Sequence, residues 1–300
     1  LPSSAWRTRF APAPTGYLHL GHLVNALYVW GIARAFGGRV LLRVEDHDRT
    51  RCRPEYEHAL LDDLDWLGFM PDEFPSASFR AAGASHPSRQ SDNGDRYARA
   101  LAELQDRGLV FPCDCTRRSI AGASPRREGE EVRYPGTCRD RHLDGDEILA
   151  RRIRIDPGVE AFEDLRLGMF ADDPSTQCGD VLARDRHGGW TYQFAVTVDD
   201  FEQEVDVIIR GEDLLASTAR QRRMARLLGR TTLPLVLHHP LLVHDGGAKL
   251  SKALGDTALR ERRAAGTRAD QLIGEAAFLV GLQPTPASLT AADAGALFRR

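Results

Sequence analysis

Apolar and polar positions change period several times along the chain, and each change marks an element. "TRFAP" is a short strand-like run closed by prolines. "HLGHLVNALYVWGIARAFGG" sets Leu20, Leu23, Val24, Leu27 and Tyr28 on one stripe ahead of a glycine stop, which predicts a helix. "RVLLRVED" is nearly continuous in apolar residues, as a parallel strand buried on both faces would be. Strand, helix and strand in such a short span make a βαβ unit and predict a doubly wound α/β fold built on a parallel sheet.

"PEYEHALLDDLDWLG", with Pro54 at its first helical position, and "DRYARALAELQDRG" predict two more helices. The segment between them, "PDEFPSASFRAAGASHPSRQ", reads as loop. From Leu109 to Arg154 the pattern is irregular and rich in Cys, Arg, Gly and Pro, as an insertion would be. "RRIRI", "DVLARD", "WTYQFAVTVDD" and "VDVIIRGED" are strand-like. "ASTARQRRMARLLG" predicts a helix with Met224, Leu227 and Leu228 inward and its arginines outward. "LPLVLHHPLLVHDGGAKLSK" returns to strand and loop, and a helix capped by Thr267 is expected near the end. The expected division is a first catalytic half over 1–108, an insertion over 109–188, a second catalytic half over 189–255 and a helical segment over 256–300.

Hydrophobic content of 42% and charged content of 28% suit an ordinary globular protein. No apolar run approaches the roughly 18 residues needed to cross a bilayer, and "LPSSAWRTRF" lacks a secretory pattern. A cytoplasmic, monomeric protein without a membrane partner is therefore expected. The net charge is −3, but residues 219–263 carry ten basic and three acidic side chains, which is +7 and leaves −10 elsewhere. That asymmetry suggests an anionic partner, although a solvated helix face explains it equally well on charge alone.

Two stretches carry the candidate chemistry. In "RFAPAPTGYLHLGH", His19 and His22 bracket the first turn of the long helix, where unpaired N–H groups and imidazole donors suit phosphate. Gly21 between them leaves room for a flat ring against the backbone. In "GGAKLSKALG" stand the only two lysines, Lys249 and Lys252, among 40 basic residues. Their retention in an arginine-saturated chain points to a need for compact ammonium charges on a loop that can close over a polyphosphate.

Together the two stretches resemble the signature pair of class I aminoacyl-tRNA synthetases. With "LLRVEDHDRTR", "YQFAVTVDD" and "VIIRGEDLL" in order, nearly the whole chain is similar to the glutamyl-tRNA synthetase family. The short stretch after "KLSK" leaves no room for an anticodon-binding domain, and this truncated form resembles the glutamyl-Q tRNA(Asp) synthetases. The resemblance implies a Rossmann-like catalytic domain with a zinc-bearing insertion. It implies that L-glutamate is activated by ATP with Mg²⁺, without tRNA, and passed to queuosine in the anticodon loop of tRNA-Asp. The alternatives are the catalytic part of a glutamyl-tRNA synthetase charging tRNA-Glu, and a non-catalytic tRNA-binding relic.

By the same resemblance, His19, His22, Lys249 and Lys252 are catalytic, and His19, Gly21, His22 and Lys252 bind ATP. Arg9, Phe10, Ala11, Pro12, Ala13, Glu45, Tyr192 and Arg210 form the glutamate pocket. Arg9 and Arg210 are suited to the two carboxylates and Glu45 to the ammonium group. Cys113, Cys115 and Cys138 supply three of the four ligands that structural zinc requires. Family resemblance puts Tyr134 in the fourth place, while His142 is the alternative on ligand chemistry. The segment between Cys115 and Tyr134 is expected to be a mobile loop, and Cys52 and Cys178 are expected to take no part.

Overall fold

Why β1 (Arg7–Phe10) and β2 (Arg39–Leu42) pair in parallel follows from the crossover between them, α1 (Leu20–Phe36). The helix starts where His19 caps it and stops at Gly37, whose φ of 73° lets its N–H bond the Ala33 carbonyl. Next come α2 (Pro54–Leu67), α3 (Ser76–Ala81) and α4 (Gly94–Asp106). A cysteine-bearing region holds β3 (Val110–Cys113), α5 (Arg117–Ala123) and β4 (Ala150–Ile153). After it stand β5 (Glu160–Asp164), β6 (Gly168–Asp172), α6 (Pro174–Gln177) and β7 (Val181–Arg184). Then follow α7 (Tyr192–Glu202), β8 (Val207–Gly211), α8 (Thr218–Leu227) and β9 (Leu235–His239), and after them α9 (Leu259–Ala264) and α10 (Ala269–Leu279). The computed structural model describes residues 1–2, 5–83, 85–124, 132–141, 143, 149–242 and 257–299.

The main sheet has two ladders. In one, β1 pairs with β2; in the other the order is β6-β5-β9-β8, parallel except for the β5–β6 hairpin. They meet at β1 and β8, where the Asp206 amide donates to the Arg7 carbonyl at 2.9 Å and the Arg7 amide to Asp206 Oδ2 at 2.8 Å. Beyond β2, Glu73 and Arg89 form single parallel bridges to Leu41 and Val44. Both faces are covered: Val207 and Ile209 of β8 pack with α1, while Ile208 packs with Phe162, Ala219 and Val236 on the other side. This double burial is why the strands are apolar without alternation. Close packing shows again at Gly31 of α1, where a Cβ would lie 2.2 Å from the Phe298 ring.

The small second sheet is antiparallel, in the order β3-β4-β7. Strands β5 and β6 lie within 109–188 yet join the main sheet through β9.

Several expectations change. "WTYQFAVTVDD" is mostly helix α7, although Tyr192, Phe194, Val196 and Val198 alternate as in a strand. The helix is buried from Phe194 through Asp200, so burial on all sides produced a pattern that no single face explains. On α8 the arginines do not simply face outward: Arg220 is buried, and Arg223 and Arg226 pair with Glu160. The last helix is capped at Arg268, whose amide donates to Gln271 Oε1 at 3.0 Å, and not at Thr267. The expected loop after α2 contains α3, and the expected mobile loop after Cys115 opens with α5. Among the described residues no helix is long and apolar enough to cross a membrane.

Candidate active site and cysteine cluster

From β1 the chain moves one way to β2, and from β8 it moves the other way to β9. Where an open parallel sheet reverses like this, a crevice opens at the carboxyl ends of the strands. A cavity of about 750 Å³ lies there, lined by the end of β1, the start of α1, β8 and the segment after β9.

At the start of α1, His19 Nδ1 accepts from the Gly21 amide at 3.1 Å, and His22 Nδ1 accepts from the His19 amide at 3.2 Å. With both Nδ1 lone pairs occupied, each ring carries its proton on Nε2 and presents that nitrogen as a donor. The rings lie 4.1 Å apart. Gly21 is required by this cap, because a Cβ there would stand 2.9 Å from the His19 ring.

One wall holds a buried chain of alternating charge. Arg9 Nε donates to Asp200 Oδ1 at 3.0 Å, and Arg43 Nη1 donates to the same oxygen at 2.8 Å. Arg43 Nη2 then donates to Glu45 Oε1 at 2.9 Å. Burial alone would lower the Arg43 pKa, but Asp200, Glu45 and Asp199 outweigh it and push it up. Asp200 is also buried, yet Arg9 and Arg43 hold its carboxyl below the usual range. Each charge is thus compensated within the wall.

The facing wall differs. Arg210, at the end of β8, is 3% exposed, and its guanidinium donates to His238 Nε2 at 3.0 Å, Gln221 Oε1 at 2.6 Å and Thr218 Oγ1 at 2.8 Å. Burial pushes its pKa down. Among the described residues it forms no ion pair. Tyr192 lies nearby, its own pKa raised by burial.

Arg9, Phe10, Ala11, Pro12, Ala13, His19, Gly21, His22, Glu45, Tyr192 and Arg210 therefore line one cavity although they span two hundred residues of sequence. Lys249, Lys252 and His142 lie outside the described residues. Sequence reasoning missed Arg43, Asp164, Asp200, Thr218, Gln221 and His238. Arg43 and Asp200 stood inside quoted motifs, and an ionisable residue in an otherwise apolar run was the available signal.

In the second sheet Cys113, Cys115 and Cys138 place their sulfurs within 4.8 Å of one another. Cys115 and Cys138 are 3.5 Å apart, and the Tyr134 hydroxyl lies 3.5 Å from Cys113 and 4.0 Å from Cys115. Tetrahedral zinc with Zn–S near 2.3 Å needs ligand separations of roughly 3.8 Å, so the four atoms fit it. The Cys138 amide donates to the Tyr134 oxygen at 2.9 Å, and the Arg152 guanidinium lies 3.8 Å over its ring. The amide favours a phenolate, but burial and the hydrogen bond with Cys113 outweigh it and push the hydroxyl's pKa up. Arg152 also donates to Cys113 Sγ at 3.4 Å, and hydrogen bonds from Tyr134 and Arg152 outweigh burial to lower that thiol's pKa.

Residues 5–283 match the model of the catalytic domain of class I tRNA synthetases (E and Q). A glutamyl-Q tRNA(Asp) synthetase of Cupriavidus metallidurans is 43% identical over 262 residues, covering 86% of this chain and 80% of that protein. One from Symbiobacterium thermophilum is 41% identical over 291 residues, covering 93% and 88%. The solved glutamate tRNA ligase from Elizabethkingia meningosepticum, in complex with its amino acid, superposes with a TM-score of 0.77 at 25% identity, over 96% of this chain. The chain spans 64% of the length of that ligase. A methionyl-tRNA synthetase from Mycobacterium tuberculosis shares the fold alone, with a TM-score of 0.58 at 12% identity. A sheet reversal at β1 and β8, a histidine-capped crossover helix and these similarities lead to one placement: the chain belongs to the class I glutamyl-tRNA synthetase family, among the glutamyl-Q tRNA(Asp) synthetases.

Proposed function

We infer that this chain activates L-glutamate with ATP and transfers the glutamyl group to queuosine in the anticodon loop of tRNA-Asp, as a monomer in the cytoplasm. The observation that carries the reading is the single cavity that joins Arg9, Glu45, Tyr192 and Arg210 to the His19–His22 helix start. In the first step an α-carboxylate oxygen attacks the α-phosphorus of ATP, a P–O bond forms, and pyrophosphate leaves. In the second a nucleophile of the modified base attacks the acyl carbon and AMP departs. Neither step needs a protein nucleophile; positioning and stabilisation of developing charge suffice.

His19 and His22 donate from Nε2 to phosphate oxygens beside the positive end of α1. Lys249 and Lys252 add ammonium groups to the leaving pyrophosphate, and Mg²⁺ accompanies ATP. Glu45 receives the substrate ammonium and Arg9 its reacting carboxylate. Arg210, packed deep beneath α8, takes the side-chain carboxylate. Cys113, Cys115, Cys138 and Tyr134 hold a structural zinc ion that ties α5 and the neighbouring turn to the second sheet.

The test is pyrophosphate exchange with glutamate and no tRNA, followed by transfer of labelled glutamate to tRNA-Asp with and without queuosine. Exchange without tRNA and labelling only of the queuosine-containing tRNA are expected. The likeness to the glutamate tRNA ligase favours a second reading, charging of the 3′ end of tRNA-Glu, and label on that tRNA would select it. Metal analysis should find about one zinc per chain, reduced by Cys138→Ser.

A further inference from the structure

Arg210 is held from three sides, and every acceptor is neutral. Each acceptor is also fixed by a second partner. Gln221 Nε2 donates to Gln193 Oε1 at 2.8 Å, and Gln193 Nε2 donates to Ser217 Oγ at 2.9 Å, so the Gln221 oxygen is the atom turned to Arg210. Asp164 Oδ2 accepts from the His238 amide at 2.9 Å and from its Nδ1 at 2.7 Å, leaving the Nε2 lone pair for Arg210. Asp164 Oδ1 meanwhile accepts from the amides of Arg166 and Leu167 at 3.0 and 2.9 Å. The nearest carboxylate on this path is thus spread over four donors and separated from the guanidinium by a neutral imidazole. Burial, with Arg210 alongside, keeps that imidazole neutral by moving its pKa down to about 4.

We propose that Thr218, Gln221 and His238, the last oriented by Asp164, are specificity-determining positioning residues: they aim Arg210 without neutralising it and so reserve its charge for the substrate's side-chain carboxylate. The inference rests on the activation reading above. The reacting carboxylate must face the phosphate end at His19 and His22, so the non-reacting one takes the inner wall. A carboxylate partner there, of the kind Asp200 gives Arg9 and Arg43, would present the substrate with an already neutral pair. An amide side chain would then bind almost as well as a carboxylate. With neutral acceptors, a buried cation is left undercompensated until an anion arrives, and glutamine cannot supply one.

The closing experiment measures pyrophosphate exchange with L-glutamate and with L-glutamine on the full chain. Gln221→Glu puts a carboxylate at nearly the same place and volume. It is expected to raise the glutamate KM by about tenfold or more, to narrow the glutamate-to-glutamine ratio by a similar factor, and to change kcat far less. Thr218→Asp, at the first turn of α8 where an acid is tolerated, should act in the same direction. Gln221→Met removes an acceptor without adding charge and should keep the ratio even as KM rises. An unchanged ratio in both acidic variants overturns the proposal, as does a ratio lost equally in Gln221→Met. A wild-type chain with no glutamate-dependent exchange overturns the activation reading itself.

Discussion

The two walls of the cavity each bury arginine, and they solve the resulting electrostatic problem in opposite ways. On the β1–β2 side, Arg9 and Arg43 share Asp200, and Glu45 ends the chain, so cation and anion alternate. On the β8–β9 side, Arg210 has dipoles around it and, among the described residues, no ion pair; the charge of Asp200 reaches it without contact and does not offset burial, which leaves its pKa lowered. The first arrangement is a frame that holds groups in place, and removing one member strands another. The second is a receptor whose charge is completed only by a ligand. Stability should therefore depend most on the first wall, whose Arg9 and Glu45 also meet the substrate, and recognition of the side-chain carboxylate on the second.

The sharpest way to break the contrast is Arg210→Met. It should lower kcat/KM for glutamate by about a thousandfold or more, since a site built for a charge loses the cation that would meet it. The unfolding temperature should stay level or rise, because an undercompensated buried charge is gone. Asp200→Asn should do the reverse in kind. It strands two buried guanidinium groups and should cost about 3–5 kcal/mol of stability, read by urea unfolding.

Acid separates the walls more gently. The folded-state pKa of His238 is about 4 against an ordinary 6.5, so the unfolded chain takes up that proton first. Its contribution is fully present above pH 6.5 and is lost as pH falls toward about 4, up to about 3 kcal/mol in all. Asp164, Arg210 and His239 are the charged or titratable groups that bear on it. Asp200 is held below its ordinary 3.8, so its contribution survives that window and fades only at lower pH. Urea unfolding from pH 7 to 4 should therefore show a slope that His238→Asn removes and Asp200→Asn leaves.

How much of this was legible in sequence depends on how far apart the partners lie. The β1 end, the His19 cap and Gly21 are contiguous, and a strand–turn–helix pattern exposes them directly. Tyr192 was found by motif while its element was misread, because the alternation of Tyr192, Phe194, Val196 and Val198 imitates a strand when a helix is buried all round. The frame and the cage were invisible for a different reason. Arg43 meets Asp200 across 157 residues and Asp164 meets His238 across 74, and no local period records such pairings. The cysteine cluster lay between these cases: spacing grouped its thiols, but the Arg152 cation over Tyr134 comes from the neighbouring strand.

The seam between β1 and β8 also sets the order in which the molecule can be made. Arg7 of the first strand waits for Asp206, 199 residues later, before its outer edge is paired. At about 5–20 residues per second on a ribosome, that edge stands open for roughly ten to forty seconds. During that interval the nascent chain presents an apolar parallel strand with one side unpaired, a template for association with other chains. The substrate cavity, whose two walls belong to the two sides of this seam, cannot close before Leu242 of its lining has been made.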